Sequence, residues 1–194
     1  GMRLINHLRV SLKIARMLGP FMGLLPAAGF VFGNIQPDVA VTTFVRNTEP
    51  GDRMRGHSYS TARKRMLLLL ESLAEEDIPD VVMAYRIGKI AHYAADSFTF
   101  PHNPDLFHGS LKEHMIYERV LEPEIDSIEF DPSQLGLISA SCFYERIADM
   151  HKEYEQTEPS AAVDASFIAS ALHASASLLA FFAGMAPALA GNLR

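Results

Sequence analysis

Between Pro79 and Pro101 the chain spaces Ala84, Ile87, Ala91, Ala94 and Phe98 three or four residues apart. That spacing lines up all five on one stripe of an α-helix. A strand would need apolar residues with a period of two, and no convincing run of that kind occurs in the sequence. Pro79 suits a helix start, whereas Pro101 pushes its predecessor out of the α region and closes the segment. On another face lie Tyr85, Gly88, Lys89, His92 and Asp96. Gly88, one turn before His92, lets a neighbouring group approach that face closely.

The helical period recurs along the chain. Leu4 to Leu18 reads as a first helix, ended by Gly19-Pro20. An apolar passage punctuated by Gly and Pro leads to Gly33-Asn34-Ile35-Gln36-Pro37-Asp38. Pro37 suits the first position of a short helix reaching about Asn47. Residues 47–57 read as loop, and a helix is expected from Ser58 to Glu76 with Leu67 to Leu70 at its centre. After a loop from Pro101 to Gly109, Ser110-Leu111-Lys112-Glu113 forms a capping box that starts a helix near Leu111. Two more helices are expected at 133–156 and 161–185. The expected fold is therefore all-α, a multi-helix bundle. A length of 194 residues fits one domain, 2–194, with Gly1 set aside as an expression scar.

Charge is unevenly spread. Residues 1–70 hold ten Lys/Arg against three acids, and the remainder seven against twenty. The basic part could steer an anionic substrate, with a solvated surface as the plainer reading; the same choice applies to Arg53, Arg55, Arg63, Lys64 and Arg65. A pI near 5.7 with no long basic stripe argues against binding duplex nucleic acid. The single cysteine, Cys142, excludes an internal disulfide. The apolar run from Met17 to Gly33 follows basic residues as a secretion signal would, but Pro20, Gly23 and Pro26 interrupt it. The Ala- and Leu-rich run from Ala161 to Ala190 contains Asp164, His173 and Pro187, which favours a buried core helix over a membrane span. A cytoplasmic location, with association at the membrane periphery as the alternative, is expected rather than secretion.

Four of the eight histidines fall between His92 and Glu118. His92 has Asp96 four residues on, and His114 has Glu118. Residues i and i+4 share a helix face, so each pair can present two teeth to one cation. His102, directly after Pro101, lies between them. Imidazole with carboxylate is a donor set that zinc prefers. A ferritin-like di-iron bundle would show Glu-x-x-His spacing instead. Five ligands exceed a three-ligand catalytic zinc and point to two metals or more. His108, as a loop residue, reads as structural, and His151 and His173 as surface or core residues.

His92-Tyr93-Ala94-Ala95-Asp96, Pro101-His102 and the His114/Glu118 pair together resemble the zinc-dependent bacterial phospholipases C. Pro37-Asp38 is similar to that family's upstream Pro-Asp element, with His57 as the histidine that follows it. The resemblance implies an all-helical enzyme with one metal held by Asp38, His57, His92 and Asp96. A second would be held by His102, His114 and Glu118. In the family the residue matching Asp96 is shared with a third metal, and the one matching Asp38 is proposed as general base. That third site uses an N-terminal Trp and a histidine; this chain has no Trp, though His7 could supply the histidine. Two Zn2+ ions are thus expected, with the third in question. The implied activity is hydrolysis of phosphoesters, including phospholipid at a membrane surface. The alternatives are a zinc nuclease or phosphomonoesterase of the same fold, and a non-catalytic metal-stabilised binding protein.

Overall fold

A computed structural model describes residues 2–39, 58–103 and 105–185. Among them are seven α-helices and no strand: α1 (Leu4–Met22), α2 (Leu24–Val39), α3 (Tyr59–Ser72), α4 (Asp80–Asp96), α5 (Leu111–Asp126), α6 (Ala140–Tyr154) and α7 (Ala161–Phe182). Turns of 3₁₀ helix lie at Phe100–His102 and Pro132–Gln134.

Helix α4 is the centre of the bundle, with α2, α3 and α7 packed around it. The stripe of Ala84, Ile87, Ala91, Ala94 and Phe98 is fully buried. Ile90, Tyr93 and Ala95 are buried too, so α4 from Ile90 to Asp96 is enclosed on all sides. An ideal Cβ on Gly88 would lie 2.2 Å from the Phe30 carbonyl oxygen, and one on Gly33 would lie 2.1 Å from that of Tyr85. Two helix backbones therefore touch directly, an approach open only to glycine at these positions. The close approach expected at Gly88 is made by α2.

That contact explains the main departure from the sequence expectation. The passage after Gly19-Pro20 is helical, and Pro37 lies inside the last turn of α2 instead of opening a helix. Gly29 and Gly33 lower helix propensity by about 1 kcal/mol each, but they admit the packing that replaces it. Pro26 sits in the first turn of α2, where an N–H has no intrahelical partner anyway. Likewise α1 continues through Pro20 to Met22, and Gly23, at φ 84°, ends it. The rest of the helix expected to reach Asn47, and the loop to 57, lie outside the described residues.

Other boundaries shift by less. Helix α3 ends at Ser72, short of Glu76. Helix α4 ends at Asp96, and the 3₁₀ turn fills the interval to Pro101 and His102. The capping box at Ser110 and Glu113 is formed as expected. Helix α6 starts at Ala140, not 133, because Ser139 accepts the Cys142 N–H and caps it there. Helix α7 is long and apolar enough to cross a membrane, yet most of it is buried in the bundle against α4, α5 and α6.

The uneven charge is partly neutralised between helices. Arg3 and Arg9 on the N-terminal side pair with Glu122, and Arg9 also with Asp126 at 2.7 Å. The Lys13 ammonium donates to the Asp126 and Ile128 carbonyls at 2.8 and 2.7 Å, closing the C-terminal end of α5.

Candidate metal centre

Helices α2 and α4 both carry an aspartate in their last turn. Asp38 lies in the last turn of α2, and Asp96 is the last residue of α4. A helix C-terminus carries a partial negative charge, so a carboxylate there is unfavourable by itself. Asp38, expected in a first turn behind Pro37, thus lies at the opposite end of a helix. Two carboxylates and two negative helix ends converge on one place, and a cation is the natural partner for them.

Imidazoles surround these acids. Among the described residues, two groups each bring three candidate ligand atoms within 4.8 Å of one another: His7 with His92 and Asp96, and His102 with His114 and Glu118. Asp96 faces both. Its Oδ1 accepts the Met2 N–H at 3.0 Å and lies 3.2 Å from His7 Nε2. Its Oδ2 lies 3.5 Å from His92 Nε2 and 3.6 Å from His102 Nδ1. Asp38 Oδ1 stands 3.8 Å from His92 Nε2. His114 Nε2 and Glu118 Oε1 are 2.9 Å apart, and the His102 and His114 ring centres 5.3 Å.

Outer contacts fix which nitrogen each ring presents. His92 Nδ1 lies 2.8 Å from the Asn34 main-chain carbonyl, which can only accept. The proton is therefore on Nδ1, and the Nε2 lone pair faces Asp96 and Asp38. The Asn34 side-chain oxygen lies 3.1 Å from His7 Nδ1 in the same way. One residue thus orients both stacked rings, whose centres are 4.0 Å apart.

The second group hangs on the 3₁₀ turn, and buried polar groups anchor that turn. The Asn103 amide donates to the Ser97 and Thr99 carbonyls at 3.2 and 3.0 Å. Its oxygen is thereby left facing His151 Nε2, at 2.9 Å. Burial, helped by Arg63, lowers the His151 imidazole to about 4, so the ring is neutral and donates through Nε2. Asp164, on α7, accepts the Phe100 N–H at 2.8 Å and the Tyr117 and Tyr154 hydroxyls at 2.8 and 2.6 Å. It joins the turn to α5 and α6.

Electrostatics follow this layout. Burial pulls the His7 imidazole down, but Asp96 and then Asp38 outweigh it, and the ring stands above its ordinary value. Burial alone would raise the Glu118 carboxyl, yet its bond to His114 brings it below the usual range. Burial raises Asp164 to about 6, against the hydroxyl and amide donors that lower it.

Of the residues singled out in the sequence, Asp38, His92, Asp96, His102, His114, Glu118 and His7 meet in this region. His57 lies outside the described residues. His108 is exposed and belongs to neither group. His151 is a buried structural histidine, and His173 stands beside Phe130 away from the site. Sequence reading missed Asn34, Asn103 and Asp164. Asn34 was discoverable: had α2 been read as continuous, it would stand one turn before Asp38 on the same face.

The donor set fits zinc. Each group offers nitrogen and carboxylate ligands in the number that a catalytic site uses while leaving a position for water. No curated protein and no solved structure matches the sequence. The family described as zinc dependent phospholipase C does match, over residues 4–177. That span runs from the helix that carries His7 into the last third of α7, and so includes every element around the metal centre: the chain belongs to the zinc-dependent phospholipase C family.

Proposed function

We propose that the chain hydrolyses phosphoester bonds in the manner of a phospholipase C, with phospholipid at a membrane surface as its substrate. His92, Asp96 and Asp38 would hold one zinc, with His7 beside it, and His102, His114 and Glu118 a second. His57 remains a further candidate ligand. Zinc held there supplies Lewis acidity, neutralising charge on the phosphoryl oxygens and making water a nucleophile near neutral pH. The observation that carries this reading is Asp96, whose two oxygens face both groups at 3.2–3.6 Å. One carboxylate shared by two ligand groups supports a paired-metal centre of the kind that clamps phosphoesters.

The chain's own groups divide the remaining work. Asn34 holds His7 and His92 in one tautomer and one orientation. Asp38 is the more open of the two aspartates, its side chain 19% exposed against 2% for Asp96. That openness supports a role for Asp38 in accepting the proton of the attacking water and passing it to solvent. The water oxygen forms a bond to phosphorus, the ester P–O bond breaks, and the leaving oxygen takes a proton from solvent as the alcohol departs.

The test is to assay zinc-loaded protein on phosphatidylcholine, a bis-aryl phosphodiester and single-stranded DNA, with and without chelator. Chelator-sensitive turnover of the lipid is expected. Turnover of DNA alone would move the assignment to a nuclease. Metal-loaded protein inert on all three would refute hydrolysis.

A further inference from the structure

From Met17 to Pro37 the sequence contains no charged residue. In the fold one side of this stretch packs into the core through Leu18, Ala27 and Phe30, and the other side faces outward. Leu24 and Leu25, at the start of α2, are 85% and 71% exposed, and Phe32, two turns on, is 56% exposed. An apolar face of this size on a bundle marks a surface that meets something. The same face is continuous with a cationic rim. Phe32 stacks on Tyr85 at 5.8 Å, and the Lys89 ammonium lies 5.7 Å from the centre of the same Tyr85 ring. Burial, and after it the charge of nearby Arg65, lowers the affinity of Lys89 for a proton. The contacts of both cations are with tyrosines: Arg65 donates to the Tyr93 hydroxyl at 3.2 Å and covers its ring. Among the described residues no carboxylate forms an ion pair with either.

We infer that the outer face of α2, with Arg65 and Lys89 at its rim, is a docking surface for an anionic phospholipid bilayer. Two half-buried like charges without an acid between them are complementary to a sheet of lipid phosphates. Leucine and phenylalanine of α2 beside basic and tyrosine side chains of α3 and α4 give the composition of a membrane-interface surface. The same charges disfavour a second copy of the chain, since an isologous contact would bring the cations toward each other. The surface also leads to the right place. Helix α2 starts at Leu24 and ends at Asp38 and Val39, so one helix carries both the apolar face and a residue of the metal centre. This choice of occupant rests on the phospholipid reading above.

Flotation of the zinc-loaded full chain with phosphatidylcholine vesicles and with phosphatidylcholine/phosphatidylglycerol vesicles tests the inference, with bis-aryl phosphodiester turnover measured in parallel. Wild type should float with the anionic vesicles and release as salt rises. Leu24→Asp with Leu25→Asp should weaken vesicle binding by roughly tenfold or more, with turnover of the soluble substrate unchanged. Arg65→Gln with Lys89→Gln should lose the preference for anionic vesicles, by roughly fivefold per cation. Wild type that floats with neither vesicle, or leucine variants that float as well as wild type, would overturn it. So would a wild-type dimer that the leucine variants convert to monomer. Absence of soluble-substrate turnover in wild type would count against hydrolysis alone, because flotation reads docking independently of it.

Discussion

Gly33→Ala probes the contact on which the metal centre is built. An added Cβ would stand 2.1 Å from the Tyr85 carbonyl oxygen, where ordinary contact begins near 3.4 Å. Helix α2 would have to withdraw from α4 by roughly 1 Å, and it carries Asn34 and Asp38 with it. The 2.8 Å bond from His92 to the Asn34 carbonyl would stretch toward the limit of a hydrogen bond. Overpacking of this kind costs about 1–3 kcal/mol, and the gain in helix propensity returns about 1. The net expectation is a loss of about 0–2 kcal/mol, or a fall of some ~2–4 °C in Tm per kcal/mol for a chain of this size. Activity should suffer more than stability, by roughly 100-fold for a displacement of about 1 Å. Gly19→Ala is the control: no atom lies within 4 Å of its Cβ position in α1, so it should be neutral or stabilising by up to about 1 kcal/mol. Urea unfolding and zinc titration of both variants form the assay. If Gly33→Ala is as stable as Gly19→Ala and binds zinc like wild type, the backbone contact described above is wrong.

Other perturbations address the anchoring groups. Asn34→Ala removes the acceptor from His7 but keeps the main-chain carbonyl that holds His92, and should weaken zinc binding by roughly 10-fold in a competition with a chromophoric chelator. Asp164 has its folded-state pKa raised to about 6, so the stability it contributes is full below its unfolded value near 4 and is lost as pH rises through 6. Wild type should therefore gain about 1 kcal/mol relative to Asp164→Asn between pH 7 and pH 5, read by urea unfolding of both at each pH; a constant difference would refute a raised pKa. Asn103→Ala frees the turn that carries His102 and should lower zinc affinity at the second group while leaving the first intact, which titration of the two metal equivalents separates.

Helices with a clean stripe and a clean cap were legible in the sequence. The Ala84-to-Phe98 spacing located the central helix, and Ser110 with Glu113 located the start of α5, because period and capping are local properties. Helix α2 was not legible. Its glycines and prolines read as breakers by local rules, while the fold uses Gly29 and Gly33 as contact points against α4. The cost of that misreading passed to the site: Asp38 was expected in a first turn, and Asn34 went unnoticed. Ligand pairs at i,i+4 were visible because one helix carries both teeth. Asn103, Asp164 and His151 were not, since their partners lie four to 64 residues away and only packing brings them together.

The central claim is a metal centre divided between two histidine–carboxylate groups that share Asp96. Zinc content per chain, measured by mass spectrometry of the metal after dialysis, tests it most directly. Wild type should retain two zinc ions or more, His92→Ala and His114→Ala should each lose one, and the double variant should lose both. Zinc content unchanged in the double variant would contradict the account.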